Sequence, residues 1–191
     1  MSRPDRHRAE LVAATGRLLR RQGYSGTSVS DFLQAAGAAN GSLYHHFPHG
    51  KEELAQAAIE AAAEQVEDAL ARTLDADDDV VAATQRWLDA LIGALEADPR
   101  DGCPVAPTAI DAAGVSEPLR LSAAGAFARW EAVFELALAR TRDRQTAAAQ
   151  ARLLLSAIEG ALLLDRTAHD TAHLRALREA LPALLANRDA L

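Results

Sequence analysis

At 191 residues, 49% hydrophobic and 25% charged, the chain is long enough to bury a core and fits one ordinary domain or a small domain joined to a larger one. Its 45 Ala and 27 Leu against 4 Phe, 2 Trp and 2 Tyr favour helices over strands and predict an all-α protein. Cys103, alone, excludes an intramolecular disulfide framework and paired-cysteine metal sites and suits a reducing cytoplasm. Met1 to Arg8 is charged with no apolar run behind it, and the apolar stretch Leu153 to Leu164 is broken by Ser156 and Glu159, so neither a signal peptide nor a membrane span is expected. The net charge of −7 is unevenly spread: through residue 47 six arginines face three acidic residues, a local +3 that leaves −10 for the remainder. Either the N-terminal end meets an anion or its arginines are the solvated face of a first helix.

Arg6 to Gln22 reads as that helix, with Leu11, Ala14 and Leu18 on one face and Gly23 as its stop. Ser28-Val29-Ser30-Asp31 has the S-x-x-D spacing of a capped start, predicting a short second helix to about Ala36. After Gly37, a third short helix over Gly41 to Phe47 ends at Pro48. Lys51 to Leu74 forms a long fourth helix with Leu54, Ala58, Ala61, Ala62, Val66 and Leu70 in a stripe. Asp78 or Asp79 caps a fifth, Val80 to Ala97, where Trp87, Leu91 and Leu95 align. A loop through Cys103 leads to a short sixth helix, about Ala106 to Ala113. Ser116 and Pro118 announce a seventh, to Arg140, carrying Phe127, Trp130 and Phe134 on one stripe. Thr146 to Thr167 and Thr171 to Ala186 complete nine, the last accepting Pro182 only as a kink or an early end.

Two short helices joined by a Gly turn behind a first helix have the order of a helix-turn-helix head, whose last helix enters the major groove. The stretches Thr27 to Gly37, Gly41-Ser42-Leu43-Tyr44-His45-His46-Phe47 and Lys51-Glu52-Glu53-Leu54 resemble the head of the TetR family of bacterial transcriptional repressors. Gly102-Cys103-Pro104-Val105, Ser116 to Arg120 and Phe127-Ala128-Arg129-Trp130 resemble its LmrA/YxaF-type branch. The resemblance implies a helix-turn-helix DNA-binding domain over 1–48, aided by the start of the fourth helix near Lys51, and a ligand-binding and dimerisation domain over 49–191. Ala39 stands where the family often has a Ser or Thr cap, so Asn40 is expected to begin the third helix, and the Phe47–Lys51 spacing is one residue longer than usual.

On that resemblance Asn40, Gly41, Ser42, Tyr44, His45 and His46 face DNA. Gly41 allows close backbone approach or is a plain turn glycine. Asn40 and Ser42 suit base edges or phosphates, and equally a helix start. Tyr44 and His45 donate to phosphates, and His46 touches phosphate or caps the helix end. Leu43 and Phe47, four apart, belong to the core. Lys51 would meet a phosphate at a helix N-terminus; Thr27 and Ser28 contact phosphate or act only as caps. Arg6 and its neighbours are a solvated arm or reach the DNA backbone.

Trp87, Leu91, Ile110, Phe127, Trp130 and Phe134 lie on segments that line the effector pocket in the family, and are core or pocket wall. Cys103 beside them is a small buried hydrophobe or an oxidant sensor. Glu159 anchors a cationic ligand or pairs across a subunit interface. Leu154, Ile158, Ala161 and Leu162, with Leu174, Leu177, Leu181 and Leu184, make a four-helix interface between two copies or are buried within one. Neither the Tyr44, His45, His46 and His49 group nor His169 with His173 has a nearby Cys or a convincing third ligand for a metal site, and no catalytic motif is present. The expectation is therefore a cytoplasmic homodimer that binds a double-stranded DNA operator and is released by a small apolar or aromatic effector, without enzyme activity, cofactor, metal or membrane. An activator of the same build, or a helical binding or enzymatic body with a degenerate head, stays open.

Overall fold

Alanine and leucine carry the chain into nine helices among the described residues, with no strand. A computed structural model describes residues 3–186, except the side chains of residues 3–5, 40 and 42. The helices are α1 (Arg3–Gln22), α2 (Val29–Ala36), α3 (Asn40–His46), α4 (Lys51–Asp75), α5 (Val80–Ala97), α6 (Ala106–Ala112), α7 (Glu117–Leu138), α8 (Arg144–Ala168) and α9 (Ala172–Leu184). They form two compact units: one from residues up to Gln65 with Cys103–Ala126, the other from Val66–Gly102 and from Phe127 onward. The first unit thus groups the start of α4, α6 and the start of α7 with the first three helices.

In the first unit α1 packs on α2 and α6. Leu11, Ala14 and Leu19 of α1, Phe32 and Leu33 of α2, and Leu43 and Phe47 are buried there. Leu18, expected on the inner face of α1, is only half-buried, and the next residue, Leu19, takes the deep position. α3, at seven residues, is too short to persist alone, so its stability comes from those two anchors.

In the second unit α9 packs against α5 and α8. The buried face of α5 is Val80, Ala83, Thr84, Leu88, Ile92 and Leu95, which leaves Trp87 and Leu91 half-buried at its edge. α9 runs two residues past Pro182. A proline there cannot donate to the carbonyl four residues back, and the Arg178 carbonyl instead accepts from Gln85 Nε2 at 3.2 Å. α8 is long and apolar enough to cross a membrane by length and composition, yet seven of its residues, Asp165 included, are buried inside the unit.

Asp165 closes the α8–α9 corner. Thr171, the N-cap of α9, makes no side-chain cap bond. The wholly buried Asp165 carboxylate takes that role, accepting the N–H groups of His173 and Leu174, each at 2.8 Å, and meeting His173 Nδ1 at 2.7 Å. Burial alone would push Asp165 up, but the two amides and His173 outweigh it and hold the carboxyl below its ordinary range. Asp170 and His173 bring donor atoms within 4.8 Å of Asp165, a grouping not anticipated from sequence; the Asp165 oxygens are committed to α9.

Because its folded value is lowered, Asp165 stabilises the fold fully above the ordinary carboxylate range, and the contribution disappears as pH falls through the folded value. Asp165→Ala should cost about 1–3 kcal/mol at neutral pH in urea denaturation. Asp165→Asn should lose less and flatten the acid limb of the stability profile.

Candidate nucleic-acid interface

The local sequence builds the α2–α3 pair through three devices. Ser28 caps α2: its Oγ accepts from Asp31 N–H at 3.2 Å, while its own N–H donates to Asp31 Oδ2 at 2.7 Å. These bonds from Ser28 hold the Asp31 carboxyl below its usual value. Gly37 ends α2 in the left-handed region at φ 62, its N–H returning to Gln34. Leu43 and Phe47, both fully buried, then turn one face of α3 inward.

The opposite face points away from the unit. Tyr44 is 62% exposed, Gly41 and His45 are exposed and His46 is half-buried. The two imidazoles form an edge-on pair with ring centres 4.8 Å apart. α3 starts after Ala39 without a side-chain cap bond; the side chains of Asn40 and Ser42 lie outside the described residues. Arg8 sits over the Phe47 ring at 5.1 Å, and Arg6 and Arg17 are exposed. A short helix with an exposed phenol and imidazole, beside arginines, offers hydrogen-bond donors to an anionic backbone.

Two expected contacts are placed differently. Thr27 is buried and its hydroxyl donates to the Gly23 carbonyl at 2.7 Å, a bond within the turn before α2, whose N-cap is Ser28. Lys51 donates from Nζ to the Tyr24 carbonyl at 2.8 Å and lies 4.0 Å from the centre of the Tyr24 ring. Burial draws Lys51 below its ordinary value, opposed by the attraction of Asp111 and Asp31. The Lys51 ammonium is thus a clamp on the turn after α1, with two N–H groups beyond the one given to Tyr24. Asp111, which accepts the Ser25 N–H at 2.9 Å, was not singled out in the sequence. No local pattern could have marked it, since 86 residues separate the pair.

The residues expected to hold an effector fall in both units. In the first, Cys103 is buried, and its Sγ accepts from the N–H groups of Val105 and Ala106 at the start of α6. Ile110, at 66% exposure, is surface. In the second, Trp130 and Phe134 are core, and Phe127, half-buried, packs edge-on to Trp130 at 5.5 Å. A surface depression of about 490 Å³ in that unit is lined by Ala69, Arg72, Thr73, Ala76 and Arg86, none of them an expected ligand residue.

Of the residues expected between two copies, Leu154, Ile158, Ala161, Leu162, Leu174 and Leu181 are buried within the single chain, with Leu177 and Leu184 half-buried. Six of them thus take part in packing within the single chain. Glu159 is half-buried.

The fold and the exposed face of α3 define a helix-turn-helix, DNA-binding class of protein. Residues 11–58 match "Bacterial regulatory proteins, tetR family", and residues 80–180 match "Transcriptional regulator LmrA/YxaF-like, C-terminal domain". The chain is 33% identical over 180 residues to the HTH-type transcriptional regulator LmrA of Bacillus subtilis, covering 93% of this chain and 96% of that one. It is 34% identical over 180 residues to YxaF of the same organism, covering 93% and 94%. A TetR transcriptional regulator from Chloroflexus aurantiacus superposes with a TM-score of 0.78 at 28% identity, covering 96% of each chain. Escherichia coli NemR in its reduced form shares the fold at a TM-score of 0.83, with 20% identity over 95% and 98%. The chain belongs to the TetR family of bacterial transcriptional regulators, with an LmrA/YxaF-like C-terminal domain. Its relatives are regulators, not enzymes.

Beyond its chain neighbours and the backbone of its own helix, nothing among the described residues lies within 4 Å of a Cβ built on Gly41. Gly41→Ala should therefore leave the urea midpoint within about 0.5 kcal/mol of the parent's stability, while DNA affinity falls if the α3 backbone approaches the duplex closely. Anisotropy and denaturation on the same preparation measure the two effects.

Proposed function

We propose that this DNA-binding regulator is a cytoplasmic repressor that binds a pseudo-palindromic operator as a homodimer and is released by a small apolar or aromatic effector. The observation that carries the DNA-reading part is the pairing on α3 of a fully buried Leu43 and Phe47 with an exposed Tyr44 and His45. In this reading Gly41, Tyr44, His45 and His46, with Asn40 and Ser42, face the duplex; Ser28 and Lys51 support them by fixing α2 and the turn before it. One short helix reads too few bases for high specificity, which favours two copies on two half-sites.

The surface left for a second copy is the outer face of α8. Leu153 and Leu164, 51% and 50% exposed, lie eleven residues apart and so on one face, with Ser156 and Gly160 between them. Exposed leucines along one stripe of a long helix are unused apolar area that association would bury. For the effector, the half-buried Trp87, Leu91 and Phe127 keep apolar surface for an aromatic guest. Their support is chemical character and partial exposure. An effector that favours one form of the body with a coupling of about 1–3 kcal/mol would change operator affinity some 5–150-fold. The functional division follows the expected 1–48 head and 49–191 body, with Lys51 at the boundary.

Selection of bound sequences from random duplexes, at near-physiological salt, tests the reading. It should enrich a pseudo-palindrome, with affinity falling linearly in log salt; absence of any enriched sequence would sink it. On the winning duplex, Tyr44→Phe should bind about 2–10-fold more weakly, the equivalent of one lost hydrogen bond, with an unchanged urea midpoint.

A further inference from the structure

The turn between α1 and α2 is held by side chains far from it in sequence. α1 gives way at Gly23, φ 71, and the five residues before α2 must bring α2, and with it α3, into place. Backbone donors in such a turn lie beyond the helical ladder and need partners from elsewhere. Lys51 of α4 supplies a donor to the Tyr24 carbonyl, and Asp111 of α6 supplies the acceptor for the Ser25 N–H at 2.9 Å.

Asp111 also occupies the space where a side chain on residue 23 would go: a Cβ there would lie 2.4 Å from its Oδ2. Glycine is thus required at 23 twice, by the left-handed backbone and by the approach of this carboxylate. The polar cluster continues through neighbouring elements of the same unit. Ser116 Oγ donates to Glu52 of α4 and accepts the Leu119 N–H at 3.2 Å, capping α7. Burial, and then Glu52, push the Tyr24 phenol up, and the Asp111 charge is felt by Lys51. Cys103–Ala126 belongs to the same compact unit as α1–α3, with α6 directly against α1.

We infer that Asp111 is a positioning residue for DNA recognition: through the Ser25 N–H its carboxylate lets the segment Cys103–Ala126 set the α1–α2 turn, and hence how α3 is presented to DNA. The inference rests on the DNA-reading role of α3. It assigns to α6 a function in operator binding that is separate from any contact with an effector.

The test compares full-length wild type, Asp111→Asn and Asp111→Ala, by anisotropy on the duplex that wild type selects and by amide exchange at Ser25. Both substitutions remove the same negative charge, so a purely electrostatic effect moves them together. The Asn side chain still offers an oxygen to Ser25. Asp111→Asn should therefore stay near wild type, while Asp111→Ala binds about fivefold more weakly and exchanges its Ser25 amide faster. Equal affinity of the two variants overturns the assignment. Gly23→Ala, which displaces the carboxylate without removing it, gives a second route should Asp111→Ala not fold. Weaker binding with a faster Ser25 amide is expected, and undiminished binding with a fast amide overturns the assignment. A wild-type protein that selects no DNA overturns the reading of α3 itself, an outcome distinct from one in which wild type binds and the variants bind equally well.

Discussion

The burial of Leu43 on α3 and of Phe47 at its C-terminal cap is the constraint on which the proposed DNA-reading face depends. A seven-residue helix fixes too few hydrogen bonds to offset the cost of starting it. Leu43 and Phe47 supply the missing stabilisation by entering the core of the first unit, and in doing so they determine which residues are left outside. Tyr44 and His45 are exposed because their neighbours are not. The same unit then fixes where α3 begins, through the Ser28–Asp31 capping box and the left-handed Gly37.

Much of this was legible in the sequence because it is local. The S-x-x-D spacing announced the cap of α2, Asp79 the start of α5 and Ser116 that of α7, and all three side chains make the corresponding bonds. Helical periodicity identified Leu43 and Phe47 as core. It was less exact on α5, where two apolar stripes run side by side and the chain buries Leu88 and Ile92 more deeply than Trp87 and Leu91. Aromatic size drew attention to the less buried stripe; the tighter face is set by what packs against it, which a single helix does not encode.

Contacts between distant residues were not legible. The resemblance made Lys51 a phosphate contact, but its ammonium is given first to the Tyr24 carbonyl. Asp165, not singled out in the sequence, caps the helix that follows its own. The leucines of α8 and α9 had a periodic pattern suited equally to a subunit interface or to a core. Within one chain Leu154, Ile158, Leu174 and Leu181 are buried, a packing that periodicity alone does not specify. Pro182 reads as a stop only if the carbonyl it abandons has no other partner, and Gln85 provides one.

In the proposed function, regulation requires that a small molecule and a duplex favour different arrangements of one chain, and the free-energy difference between them need be only a few times the thermal energy. What must be firm is the reading face. The most direct measurement is hydrogen exchange of the wild-type protein with and without its selected duplex. Protection on binding should be concentrated at residues 40–47 and in the turn 24–28. Protection confined to other segments, with α3 exchanging as freely in the complex as alone, would contradict the assignment of α3 as the element that reads DNA.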